Sequence, residues 1–196
     1  MNIQDIYSDL PPLKTERLLL RKITTEDLDD FYAWASDPDV TQYVTWYSHT
    51  NPEETQEFIN RILGRYKYAK IAPWAIVDRQ ENRMIGLNGF CTWDTRHHRA
   101  ELAYVLSKPY WGKGYITETS QAIINFGFQR MNLNRIAARC RVPNIGSARV
   151  MEKCGMTYEG TLREVALIKN EYVDLKHYAI LKKEWQTINS EQANGK

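Results

Sequence analysis

Apolar positions along this chain change their period several times, and each change marks a structural element. Leu18 to Ile23, flanked by Arg17, Arg21 and Lys22, predicts a first strand. Thr24 or Thr25 followed by Glu26-Asp27 has the chemistry of a helix N-terminus; Leu28, Phe31, Tyr32 and Ala35 then recur at helical spacing until Asp37-Pro38 ends the helix. Val40 to Thr50 is rich in aromatic residues without a period and is expected to be a connection. A second helix is predicted from Asn51-Pro52-Glu53-Glu54, with Phe58, Ile62 and Leu63 on one side. Trp74 to Val77 and Met84 to Phe90 predict a hairpin about the polar turn Asp78 to Arg83, and Cys91 to Arg99 is read as irregular.

The second half is more regular. Ala100 to Leu106 alternates, with Glu101, Ala103 and Val105 on one face and Leu102, Tyr104 and Leu106 on the other. A carboxylate on a face otherwise carrying Ala and Val is unusual. Thr117 to Met131 predicts a helix apolar over a wide arc, through Ile124, Phe128 and Met131, and therefore largely buried. Arg135 to Val142 alternates again, so strand, helix and strand imply a parallel pair joined by a right-handed crossover. Asn144 to Cys154 predicts a helix closed by Gly155. Tyr158 to Ile168 and Tyr172 to Leu181 predict an antiparallel pair around Lys169-Asn170, and the polar tail after Trp185 is expected to fray. These elements predict one α/β (α+β) domain over residues 1–196, with its core at about 13–185.

Composition narrows the function classes. The chain has 196 residues, 43% hydrophobic and 26% charged, with a net charge of +2 and no long basic block. That balance gives no sign of a nucleic-acid groove. The sequence carries no membrane-length apolar run and no leader before Leu10, so a cytoplasmic protein with no membrane partner is expected. Cys91, Cys140 and Cys154 form no CxxC pair and are expected to be reduced thiols, the first two packed in strands. Adjacent His97 and His98 would point apart in an extended chain, so no metal site is expected.

The chemistry concentrates between the alternating strand and the buried helix, at Pro109-Tyr110-Trp111-Gly112-Lys113-Gly114-Tyr115-Ile116-Thr117. Two glycines one residue apart permit a sharp turn that presents backbone N–H groups, and the helix N-terminus adds further donors and partial positive charge. Phosphate fits such a cradle. The Walker pattern is absent, and a dinucleotide fingerprint would need glycine at Thr117. The short x-x-Gly-x-Gly loop instead resembles that of the acyl-CoA-binding GNAT acetyltransferases. Downstream, Asn144-Ile145-Gly146-Ser147, Val150, Glu152-Lys153 and Gly155-Met156 resemble the second motif of that superfamily, followed by Glu159-Gly160-x-Leu162-Arg163. Thr15-Glu16-Arg17-Leu18-Leu19-Leu20-Arg21 and Ser36-Asp37-Pro38-Asp39-Val40 resemble the branch that acetylates ribosomal-protein N-termini.

The resemblance implies a GNAT fold: a mixed, mostly antiparallel sheet with a splayed parallel strand pair, helices on both faces, and acetyl-CoA as co-substrate without a metal. Mapped onto this chain, Ala100 to Leu106 and Arg135 to Val142 splay, and backbone groups of Tyr104, Val105 and Leu106 receive the pantetheine arm. Trp111, Gly112, Lys113, Gly114, Tyr115, Ile116 and Thr117 then cradle the diphosphate, and Asn144 both caps its helix and contacts the pantetheine. Glu101 becomes the candidate base, with an ion pair to Arg96 or Arg99 as its purely structural alternative. Many relatives carry a tyrosine proton donor where this chain has Met151, which leaves Ser147 as the candidate acid. Trp46, Tyr47 and His49, in the connection that roofs the acceptor cleft, are candidate substrate contacts. The implied activity is N-acetyl transfer to a protein N-terminus, most simply that of a ribosomal protein. A small amine such as a polyamine, an amino-sugar antibiotic or an amino acid analogue is the alternative acceptor, and a non-catalytic CoA-binding module is the alternative of another class. A homodimer is left open.

Overall fold

The computed structural model describes residues 2–194. Strands β1 (Leu13–Lys14), β2 (Leu18–Arg21), β3 (Trp74–Asp78), β4 (Arg83–Asp94), β5 (Arg99–Leu106), β6 (Arg135–Arg141), β7 (Thr157–Ile168) and β8 (Glu171–Leu181) form one sheet, ordered β1-β2-β3-β4-β5-β6-β8-β7. Every neighbouring pair is antiparallel except β5 and β6. The expected mixed, mostly antiparallel sheet is thus present. The helices are α1 (Ile3–Tyr7), α2 (Leu28–Ala35), α3 (Pro38–Thr41), α4 (Pro52–Lys67), α5 (Tyr115–Arg130), α6 (Ile145–Lys153) and α7 (Lys182–Asn194). Among the described residues, no helix is long and apolar enough to cross a membrane.

Helix α5 is the crossover between the parallel strands, and its anchorage fixes the start of the helix. Buried Asn88 of β4 donates its side-chain amide to Thr119 Oγ1 at 2.9 Å and Ser120 Oγ at 3.0 Å. Gly127 allows the helix to sit close on the sheet, where an added Cβ would lie 2.9 Å from Phe90 and 3.0 Å from Ile136. Ile123, Ile124 and Phe128 are at most 2% exposed, so the wide apolar arc is covered as its pattern demands.

Several expectations are corrected. Pro38 begins α3 rather than merely ending α2: Asp37 caps it by accepting the Asp39 N–H at 2.9 Å, and proline is tolerated in a first helical turn. The stretch after Phe90 is not irregular, because β4 continues through a bulge between Phe90 and Thr92 to Asp94. The extra residue there is Cys91, which the bulge leaves exposed instead of packed, while Cys140 is buried as expected. Chain before residue 13 joins the core through Tyr7 and Leu10. The tail does not fray directly after Trp185, since α7 continues and packs Trp185 and Ile188 against the core.

Candidate active site

Strands β5 and β6 pair only from Arg99–Leu102 with Arg135–Ala138. Further along, β5 stays on β4 and β6 stays on β8, so the two parallel strands separate into a gap beyond Ala103 and Arg139. Main-chain groups alternate in direction along β5. Ser107 N–H donates to Ile85 O at 2.8 Å and the Val105 carbonyl lies against Gly86, so odd-numbered residues turn toward β4. Tyr104 and Leu106 therefore face the gap, and Val105, expected to offer free backbone groups there, directs them to β4. The Leu106 carbonyl already accepts the Trp111 indole N–H at 2.7 Å, which pins the loop to the end of the strand.

That loop leads into α5 through two left-handed glycines, Gly112 at φ +74° and Gly114 at φ +79°. Gly114 is the N-cap residue and supplies no side chain to satisfy the helix start. Among the described residues, none of the main-chain N–H groups from Gly112 to Thr117 has a hydrogen-bond acceptor; the first to find one is Glu118, on Gly114 O at 3.0 Å. A run of unpartnered donors at a helix N-terminus is a fit for a diphosphate. Lys113 Nζ leans over the Tyr110 ring at 5.2 Å, and Tyr115 stacks on that same ring at 6.0 Å. The side chain of Ile116 is buried, so only its backbone is available.

Two polar pairs flank the gap. Glu101 Oε1 meets Arg139 Nε at 2.7 Å, across the last paired rungs of β5 and β6. The expected partners Arg96 and Arg99 are not used; Arg99 pairs with Asp94 instead. The Cys91 thiol donates to Glu101 O at 3.4 Å, so the bulge borders the same place. On the opposite face of β5, the Tyr104 hydroxyl lies 2.9 Å from Ser147 Oγ and donates to Ser147 O at 3.2 Å. Burial pushes the Tyr104 phenol above its ordinary range, so it stays protonated at neutral pH. Asn144 Oδ1 accepts the Ser147 N–H at 3.0 Å, the N-cap bond expected of it. Met151 is buried.

The structure thus brings a phenol to Ser147 from a strand, where the sequence had only a missing tyrosine on the helix. The signal was present: Tyr104 occupies the parity of β5 that faces the helices, opposite a helix opening at Asn144. Arg139 was equally legible, because it falls on the polar face of β6.

The aromatic roof divides. His49 is only 8% exposed, its Nδ1 is 2.7 Å from Thr55 Oγ1, and burial lowers its pKa, so it is a neutral core residue rather than a substrate contact. Trp46 packs on Trp34, His49 and Phe58. Tyr47 is exposed and lies under Lys169 Nζ, which also donates to Thr41 O at 2.6 Å. The tip of the β7–β8 hairpin thereby touches the segment after α3, and Lys108, between β5 and α5, joins α3 through Asp39.

A gap between splayed parallel strands, a run of unpartnered main-chain donors beside it and a carboxylate where the gap closes fit an acyl-CoA-dependent transferase. The sequence profile of the acetyltransferase (GNAT) domain matches residues 17–157, and the chain belongs to that family. It is 33% identical over 173 residues to the uncharacterized N-acetyltransferase p20 of Bacillus licheniformis, covering 88% of this chain and 97% of that one. A ribosomal-protein-serine acetyltransferase of Escherichia coli is 29% identical over 141 residues, 70% of this chain and 76% of the relative. The crystal structure of a GNAT-family acetyltransferase from Bacillus anthracis superposes with a TM-score of 0.79 at 34% identity, covering 88% of this chain and 99% of that one. The chain is an acetyl-CoA-dependent N-acetyltransferase, which removes the non-catalytic binding module from consideration.

Proposed function

We propose that the acceptor is the N-terminal α-amine of a protein, with ribosomal proteins as the leading class. The observation that carries the cofactor half of this reading is the run of unpartnered N–H groups from Gly112 to Thr117 beside the β5–β6 gap. Acetyl-CoA supplies an activated thioester. Tyr104 and Leu106 line the gap with main-chain groups for the pantetheine amides, and the N–H groups of residues 112–117 hold the diphosphate. Glu101, where the gap closes, accepts the proton that the attacking amine must lose, directly or through one water. Ser147, on the other face of β5, passes a proton to the departing sulfur and regains one from solvent as Glu101 releases its own, and Tyr104 holds the Ser147 hydroxyl in place.

The acceptor half is supported by the ribosomal-protein relative and by acid–base chemistry. An α-amine has a pKa of about 7.7–8.0 against about 10.4 for lysine, so at neutral pH its reactive neutral fraction is larger by a factor of hundreds. A site with one carboxylate base suits it. The test is an acceptor screen with acetyl-CoA, read by mass spectrometry, in which peptides with free N-termini compete with polyamines, amino sugars and free amino acids. Acetylation of peptide N-termini in preference to the small amines is expected. Preferential turnover of a small amine replaces this reading with the alternative acceptor class.

A further inference from the structure

Glu118 stands in the first turn of α5, beside the main-chain cradle. A carboxylate there favours the helix dipole but repels a bound diphosphate. Burial works to raise its pKa, yet hydrogen bonds from Thr15 and Arg17 outweigh burial and hold the group ionised. Those partners come from the turn before β2. Thr15 Oγ1 donates to Glu118 Oε1 at 2.6 Å, the Arg17 N–H donates to the same oxygen at 3.0 Å, and Arg17 Nε donates to Oε2 at 2.7 Å.

Arg17 reaches further. Its Nη1 donates to Lys113 O at 2.9 Å, and its guanidinium lies 4.4 Å from the centre of the Tyr115 ring. In a trans peptide the carbonyl and the following N–H point opposite ways. Drawing the Lys113 carbonyl toward Arg17 therefore turns the Gly114 N–H away from Arg17, to the side left without a protein acceptor.

We infer that Arg17 is a positioning residue for the diphosphate of the acyl-CoA: it locks the Lys113–Gly114 peptide with its N–H toward the cradle and cancels the charge of Glu118 beside it. This role rests on residues 112–117 being the diphosphate site. The side chain acts by holding the loop, so affinity for the diphosphate is what it controls.

The test compares CoA binding by calorimetry in the wild type, Arg17→Ala, Glu118→Gln and the double variant, alongside kcat/KM with acetyl-CoA and with S-acetyl-pantetheine, which lacks the diphosphate. Arg17→Ala is expected to weaken CoA about tenfold or more, as loss of charge-assisted bonds implies. Adding Glu118→Gln in that background is expected to restore part of the loss, and turnover of S-acetyl-pantetheine should stay within about twofold of wild type. Arg17→Lys keeps the charge without the fork, and serves if Arg17→Ala does not fold; about a threefold loss is expected there. Wild-type CoA affinity in a folded Arg17 variant, or equal losses with both acyl donors, overturns the role. A wild-type protein that binds no CoA overturns the diphosphate site itself, and the role of Arg17 with it.

Discussion

Replacing Tyr104 by phenylalanine removes one oxygen atom and leaves the ring that packs beneath α6. That oxygen is 2.9 Å from Ser147 Oγ and 3.2 Å from Ser147 O. Loss of one net hydrogen bond in a partly buried setting costs about 1 kcal/mol. For a domain of this size, that corresponds to a fall in Tm of about 2–4 °C. The kinetic effect follows from the role proposed for Ser147: a placed proton donor contributes about 10²–10⁴-fold, and a residue that only holds it carries a fraction of this, about tenfold in kcat. The KM for acetyl-CoA should stay within about twofold, because Tyr104 offers the gap its main chain rather than its hydroxyl. Burial keeps the phenol protonated, so the pH profile of Tyr104→Phe should run parallel to that of the wild type. Thiol release under saturating acceptor measures all three. If Tyr104 acts through Ser147, Tyr104→Phe combined with Ser147→Ala is no slower than Ser147→Ala alone. An unchanged kcat in the single variant, or fully additive losses in the double, refutes the pairing as part of the chemistry.

Glu101→Gln should lower kcat about 100-fold while CoA affinity stays near wild type; an unchanged kcat in the folded variant removes Glu101 as the base. His49 should make the protein acid-sensitive: burial lowers its folded pKa below the ordinary 6.5, so the unfolded chain takes up the proton first. The stability it contributes is complete above pH 6.5 and declines as pH falls from there toward the folded pKa. Urea midpoints at pH 7.5 and 5.5 should show that decline, and His49→Leu should reduce it. Gly127→Val should cost about 1–3 kcal/mol, because its Cβ would meet Phe90 at 2.9 Å, Ile136 at 3.0 Å and Leu133 at 3.1 Å. A thermal melt equal to wild type would show that α5 can lift off the sheet at no cost.

The strand, glycine loop and helix start of the candidate cofactor site were legible because they depend on local order in the chain. An alternating strand, two glycines and a buried helix place the cradle, and Asn144 opens the next helix as its residue type suggests. The loop needs little from side chains, so its pattern survives in a single sequence. Elements that depend on distant partners were less visible. Period counting stops at Phe90 because the bulge at Cys91 shifts the parity of β4, and the polar composition of α7 hides the few apolar residues that seat it. His49 looked like a cleft residue only because its partner Thr55 lies on the next helix. The contacts of Arg17 with Glu118 span 101 residues, and Tyr104 meets Ser147 across 43. Periodicity carries no record of such pairs, although face parity narrows which residues can form them.

The most direct test is a crystal structure of the protein with CoA bound. The diphosphate oxygens should lie about 2.7–3.2 Å from main-chain nitrogens between Gly112 and Thr117, with the pantetheine arm between β5 and β6 alongside Tyr104 and Leu106. A closed gap between those strands, or a diphosphate held by side chains elsewhere on the surface, would contradict the assignment of the site and every catalytic role drawn from it.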